Sequence, residues 1–257
     1  MVDTERALES DGNRASPARV VDTHLIGQIV HDLRSPLASI RLDFELLSDK
    51  EAMAKMRADP RQHERLILNL GRALGRMERQ ITDLLDIGNL QAGQLTLRFE
   101  QINPAELIAS ACEQTAVLAE RRDQLVELQL GSSVTVFDGD KKRLEQVLVN
   151  LLSYLMQVTP VDSTLTIEAE VESDEFQFAI KGGGKQVPVE ERESLFEPFF
   201  KLRAEVGHVQ ESGLGLAIAR EIIALHGGSV WLESTESGGN TFRVSLPVEH
   251  DYESPDS

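Results

Sequence analysis

The stretch GLGLAIAREIIALHGGSVWLES, Gly213 to Ser234, decides the fold of the C-terminal half. Its first fifteen residues read as a helix led by two glycines, and Ser229–Ser234 reads as a strand. A glycine-rich turn at a helix N-terminus presents backbone amides to phosphate groups. The same glycines can instead serve only to turn the loop tightly into the helix. Working outward, TFRVSLPV at Thr241–Val248 supplies a closing strand, and TLTIEAEVE and EFQFAIKG read as a strand pair at Thr164–Glu172 and Glu175–Gly182. Further upstream, DKKRLEQVLVNLLSYLMQV at Asp140–Val158 and PAELIASACEQTAVLAERR at Pro104–Arg122 read as helices, the latter with Pro104 in its first turn. VELQL and VTVFDG read as short strands, and QLTLRFEQIN alternates like a strand. Strands and helices mix without strict alternation. The sequence therefore predicts a layered α/β sandwich with a largely antiparallel sheet.

The N-terminal part follows a different period. Ile29, Leu33, Leu37, Ile40, Phe44 and Leu47 recur at steps of three and four. Ile67, Leu70, Leu74, Met77, Ile81 and Leu84 do the same. Both are near-heptad seams of helices packed at small angles. The polar run SDKEAMAKMRADPRQ lies between them, and Asp59-Pro60 signals the start of the second helix. This predicts an antiparallel hairpin, and because narrow seams bury little alone, dimerisation into a four-helix bundle would complete its core. The expected overall class is α+β. The expected divisions are a polar arm at 1–19, the hairpin at 20–92, the sandwich at 93–248 and an acidic tail at 249–257.

Bulk properties exclude some functions. The 257 residues are 41% hydrophobic, enough for a full-sized core, and carry a net charge of −17. That charge disfavours nucleic acid and anionic lipid as partners. One cysteine, Cys112, rules out an internal disulfide and fits a reducing compartment. No apolar run reaches the ~18–20 residues of a membrane span. No His/Cys spacing resembles a metal site.

One motif carries chemistry. In HDLRSPLASIRLDFELL, His31 lies two residues from both Ile29 and Leu33, so the 3.6-residue period turns it away from the seam. An exposed imidazole, unperturbed pKa near ~6.5, is a good nucleophile toward phosphorus. Asp32 adjoins it and can orient the ring or take a proton. Ser35 lies one turn on, and Pro36 removes one helical hydrogen bond there.

HDLRSPL resembles the phospho-acceptor box of two-component sensor histidine kinases. LFEPFFK at Leu195–Lys201 resembles their phenylalanine box, and SGLGLAIAR at Ser212–Arg220 their second glycine box. The likeness covers about Asp22 to Val248. It implies a dimerisation and phosphotransfer hairpin followed by a Bergerat-type ATPase domain, in a bacterial cytosol. It also implies that Arg34, Arg41 and Pro36 lie where a receiver domain docks.

Two positions depart from that family. The resemblance implies a Mg²⁺-binding Asn where this chain has Tyr154, one turn after a retained Asn150. A phenol is a poor ligand for a hard cation. The resemblance further implies an Asp that accepts the adenine amino group, at the position of Gly182. A following family glycine is kept at Gly184, and the next is replaced by Gln186. Without its acceptor a buried adenine donor costs roughly 1–3 kcal/mol. The expectation is a vestigial nucleotide site at Asn150, Tyr154, Gly182, Gly184, Gly213 and Gly215, with no working ATP or Mg²⁺ cofactor. The leading expected function is a histidine phosphotransferase. It would accept a phosphoryl group from a receiver aspartate on His31, downstream of another histidine kinase, and pass it to a second receiver. Two alternatives stand beside it: an atypical ATP-dependent kinase that phosphorylates His31, and a non-enzymatic pseudokinase that binds a partner kinase or response regulator.

Overall fold

The structure is a computed structural model and describes residues 23–49, 60–131, 136–200, 213–234 and 238–249. The expected arm and all of the expected tail but Glu249 lie outside the described residues. Helix α1 (Thr23–Ser48) and helix α2 (Pro60–Gln91) pack as the predicted hairpin, with Pro60 opening α2. The eleven seam positions whose side chains are described divide between two faces. Leu33, Ile40, Leu47, Leu70, Met77 and Leu84 are half-buried, together with fully buried Leu66 and Ala73. Leu37, Phe44, Ile67, Leu74 and Ile81 stay exposed, Phe44 at 64%. The exposed members repeat every seven residues and include Val30. Each helix thus carries one inward stripe and one outward stripe, which is broader than a simple two-helix seam.

The second part is a sandwich. A small ribbon pairs β1 (Glu100–Ile102) with β3 (Phe137–Gly139) in antiparallel fashion. The main sheet contains β2 (Leu125–Leu130), β4 (Thr164–Glu172), β5 (Glu175–Gly182), β6 (Ser229–Ser234) and β7 (Asn240–Pro247), in the order β2-β4-β5-β7-β6. Three of its four pairings are antiparallel, and β2–β4 is parallel. The parallel pair follows from the long crossover between those strands, which holds β3 and a helix. The strand expected over Gln94–Asn103 is shorter, because its partner β3 is only three residues long.

Helices α3 (Pro104–Glu120), α4 (Lys141–Val158) and α6 (Gly215–Leu225) cover one sheet face, while α5 (Val189–Arg192) and a 3₁₀ turn (Ser194–Phe196) join β5 to α6. The alternating residues of β4, β5 and β7 point at the helices and bury Leu165, Ile167, Phe176, Phe178, Phe242 and Val244.

Helix ends are fixed by specific partners. The Asn103 side chain accepts from the Ala105 amide and caps α3. Asp140 caps α4, its Oδ1 accepting from the Arg143 amide and its Oδ2 from the Arg98 amide. Buried His226 accepts the Asp140 amide at Nε2 and contacts the Ile222 carbonyl through Nδ1, so the ring is the Nδ1–H tautomer and joins the end of α6 to the start of α4. At the far end of α4, Arg122 and Gln124 donate to carbonyls of Met156, Gln157, Thr159 and Pro160. The segment after α4 is therefore held rigidly against the sheet.

Candidate functional site

His31 and Asp32 fall within α1, and their side chains lie outside the described residues. Arg34 and Ser35 are exposed on the same helix. Arg41 is exposed and forms a 3.4 Å ion pair with Glu45 one turn on. Pro36 is buried and lies inside α1. Its ring faces the packed side because it lies on the stripe of Leu33, Ile40 and Leu47.

The second group of expected residues converges where α4, β5 and the start of α6 meet. Asn150 donates from Nδ2 to the Gly215 carbonyl at 2.9 Å. A Cβ at 215 would lie 3.2 Å from the Asn150 side chain, so the glycine permits this helix contact. Gly213 has φ 70, accepts from the Phe199 amide at 2.8 Å, and would place a Cβ 2.9 Å from Phe199 Cα. Gly184 has φ 99, and a Cβ there would lie 2.4 Å from the Val158 carbonyl oxygen. Each of these glycines is explained by close packing of the chain on itself. Lys201 and Ser212, at the ends of the phenylalanine and glycine boxes, lie outside the described residues.

Tyr154 is 5% exposed, with its ring edge-on to Phe242 at 5.6 Å. Phe196 of the phenylalanine box meets the other flank of Phe242 at 5.9 Å. The phenol is therefore built into the layer between α4 and the sheet. Gly182 closes the other side. A Cβ there would sit 2.4 Å from Thr159 Oγ1 and 3.4 Å from Leu155 Cδ2. Thr159 and Leu155 are both fully buried. A side chain at this place would need the Thr159 hydroxyl to move, and these two neighbours were not anticipated from sequence. The only signal in the sequence is their position in the turn that follows Tyr154.

The residues present thus fit neither an adenine carboxylate contact at 182 nor a hard-cation ligand at 154. Asn150 gives an Nδ2 hydrogen bond to the Gly215 carbonyl. Among the described residues no cluster of three or more His, Cys, Asp and Glu is arranged to hold a metal ion. No described helix is long and apolar enough to cross a membrane.

Two family profiles match the chain. Residues 23–93 match the His Kinase A (phospho-acceptor) domain, and residues 139–250 match the histidine kinase-, DNA gyrase B- and HSP90-like ATPase. The chain belongs to the histidine kinase family. Among curated relatives of this family it is 30% identical to the circadian input-output histidine kinase CikA of Synechococcus elongatus, over 91% of this chain and 31% of that protein. It is 29% identical to the sensor protein KdpD of Escherichia coli, over 95% of this chain and 26% of that protein. The sensor protein DivL of Caulobacter vibrioides is 28% identical, with 95% and 30% covered. The chain spans about a third or less of the length of these relatives.

Among solved histidine kinases, the catalytic domain of ThkA superposes with a TM-score of 0.53 at 27% identity, covering 59% of this chain and 96% of that one. The histidine kinase AdeS of Acinetobacter baumannii shares the fold over 86% of this chain and 98% of that one, with a TM-score of 0.64 at 20% identity. ThkA solved in complex with the response regulator protein TrrA also shares the fold, with a TM-score of 0.63 at 21% identity, 88% of this chain and 62% of that one.

One cluster that sequence reading missed lies between the hairpin and the sandwich. Asp86, near the end of α2, accepts from Arg143 Nη1 at 2.9 Å and from Gln146 Nε2 at 2.7 Å, both on α4. Its neighbour Ile87 belongs to the core of the sandwich. Asp86 lies on a helix otherwise read as a bundle seam, so its spacing pointed to solvent.

Proposed function

We propose that this histidine kinase-family chain works in two-component signalling as a phosphotransferase, with His31 as phosphoryl carrier and an ATPase-type domain that does not use ATP. The observation that carries the reading is the chemistry of the residues present: Gly182 offers no carboxylate to an adenine, and the buried phenol of Tyr154 stands where a hard-cation ligand would be needed. An aspartyl phosphate on a receiver domain is already activated. The imidazole nitrogen attacks phosphorus, the P–O bond to the aspartate breaks, and its carboxylate leaves as a P–N bond forms. The transfer needs only an accessible histidine and a docked receiver. Arg34 and Arg41 offer cations beside the acceptor face, and the ThkA–TrrA complex supports a receiver as the partner class. The exposed heptad stripes support a homodimer, since Leu37, Phe44, Leu74 and Ile81 have no cover in the single chain.

The second reading, an ATP-dependent kinase, is favoured by the match to the ATPase profile and by relatives that are kinases by name. The same experiment separates the two. The protein and His31→Ala are each given a receiver phosphorylated with labelled phosphoramidate. Acid-labile label on the wild type alone supports the transferase. Label that appears on His31 only from labelled MgATP overturns it in favour of the kinase.

A further inference from the structure

The main sheet ends in two edge strands that are built differently. At one edge β6 runs beside α5 and α6. At the other, β2 reads LVELQL, and among the described residues no strand pairs with its outer side. Leu125, Leu128 and Leu130 are 67%, 40% and 41% exposed there. The parallel pairing with β4 decides which backbone groups are left over. The Leu125 amide donates to the Ser163 carbonyl, and the Gly131 amide donates to the Ala169 carbonyl. In a parallel pair, alternate residues turn both N–H and C=O toward the same neighbour. Leu125, Glu127, Gln129 and Gly131 therefore face β4, while Val126, Leu128 and Leu130 present N–H and C=O outward. Such a row is a template for another strand, and sheets blunt it with lysine, proline or a bulge. β2 has none of these, and its register with β4 is unbroken from Leu125 to Leu130.

The side chains define what would pair there. On the helix side of the sheet Val126 is half-buried and Leu128 and Leu130 are exposed, so apolar residues of an added strand would gain cover on that side. On the opposite side the edge is acidic. Glu127 and Glu170 are exposed, and Glu170 has no hydrogen bond or ion pair among the described residues, whereas Glu168 is paired with Lys181. Gly131 lies beside Glu170, and a Cβ at 131 would sit 3.2 Å from Glu170 Cβ. With no side chain at 131, a long side chain from outside can cross the edge and reach the Glu170 carboxylate. A groove of about 280 Å³ opens at this place, with Gln129, Gly131, Glu168, Glu170 and Gln177 among its walls. Arg243, at the far end, is already paired with Glu233. Residues 93–248 hold 24 acidic and 13 basic residues, so a second copy would bring like charge and a basic partner would be drawn in.

We propose that the free edge of β2 docks an extended segment of a partner protein, one that alternates apolar and basic residues, as an added strand of the sheet. The outward N–H and C=O groups of Val126, Leu128 and Leu130 pair with the backbone of the segment. Its apolar side chains cover Leu128 and Leu130, and a lysine or arginine passes over Gly131 to Glu170. Main-chain bonds supply the affinity in this mode, and the alternation supplies the specificity. Such docking needs only the sheet and not the transfer chemistry of His31.

The test adds a capped synthetic peptide of alternating valine and lysine, roughly the length of one strand, to the full chain and follows amide exchange by NMR. Saturating peptide should slow exchange of the outward amides of Val126, Leu128 and Leu130 at least tenfold. The amides of Glu127 and Gln129, already bound to β4, should change less than twofold. Glu170→Lys, at an exposed position, should weaken binding at least threefold. Leu128→Pro deletes an outward amide that β4 does not use and should weaken it at least tenfold, with the melting transition kept. The same peptide N-methylated throughout keeps its charge and side chains but has no backbone donors, and it should bind the wild type at least tenfold more weakly, a comparison that needs no folded variant. Equal binding of the methylated peptide would reduce the contact to charge attraction and overturn the proposal. So would the absence of binding at millimolar peptide. Slow exchange of the three outward amides in the chain alone would show the edge already covered, by a second copy or by this chain, and would overturn it as well.

Discussion

The hairpin and the ATPase-type domain solve the packing problem in opposite ways. The hairpin leaves half of its seam uncovered: Leu37, Phe44, Ile67, Leu74 and Ile81 are all more than 40% exposed. The domain closes its core, with Thr159 and Leu155 fully buried beside Gly182. Charge divides along the same line. Residues 93–248 hold 24 of the 43 acidic residues and 13 of the 26 basic ones, so −11 of the net −17 sits in the domain. An uncovered apolar face on the hairpin thus stands beside a closed core in the domain.

The sharpest way to break this contrast is at the exposed stripe. Leu74→Asp buries an unpaired carboxylate in any bundle interface, a cost of several kcal/mol. Sedimentation should show the wild type as a dimer at micromolar concentration and the variant as a monomer. A wild-type monomer would leave the stripe unexplained.

Glycines sharpen the contrast next. Gly184→Ala forces φ 99 on a side chain and drives its Cβ to 2.4 Å from Val158 O, a loss of about 3 kcal/mol in denaturant unfolding. Gly71→Ala, on an exposed turn of α2 with nothing within 4 Å, should instead gain about 0.5–1 kcal/mol. Restoring the family acid by Gly182→Asp should cost about 1–3 kcal/mol from overpacking against Thr159 and leave nucleotide binding absent. Recovery of nucleotide binding with no loss of stability would mean that the filled space is only a rotamer choice.

The smallest effect is electrostatic. Hydrogen bonds from Arg243 and Trp231 hold the Glu233 carboxyl below the usual glutamate range. A depressed folded value means that its contribution is present above the ordinary glutamate pKa and is lost as pH falls through the lowered one. Glu233 is largely solvated, so Glu233→Gln should flatten the acid limb of the stability curve only slightly.

Much of this was legible beforehand for physical reasons. The strand Thr164–Glu172 alternates over most of its length because one sheet face meets helices and the other meets water, and Glu175–Gly182 and Ser229–Ser234 follow the pattern only in part. The hairpin was equally plain from its period. The parallel pairing of β2 was not, because a lone edge strand carries no sign of its neighbour's direction. At the site, the changes at Tyr154 and Gly182 stood out as residues of the wrong chemistry. Their consequence did not, since whether Gly182 leaves a hole or a filled space depends on Leu155 and Thr159, which are ordinary residues in sequence. The Asp86 cluster was hidden because its partners lie more than fifty residues away.

Thermal unfolding of the full chain with and without millimolar MgATP tests most directly whether the ATPase-type domain has lost nucleotide binding. A ligand at a hundred times its dissociation constant adds about 2.7 kcal/mol and moves the midpoint by several degrees. No shift is the predicted result. A saturable rise in the midpoint that requires both ATP and Mg²⁺, and is lost in Asn150→Ala, would contradict it and return the chain to the ATP-dependent kinases.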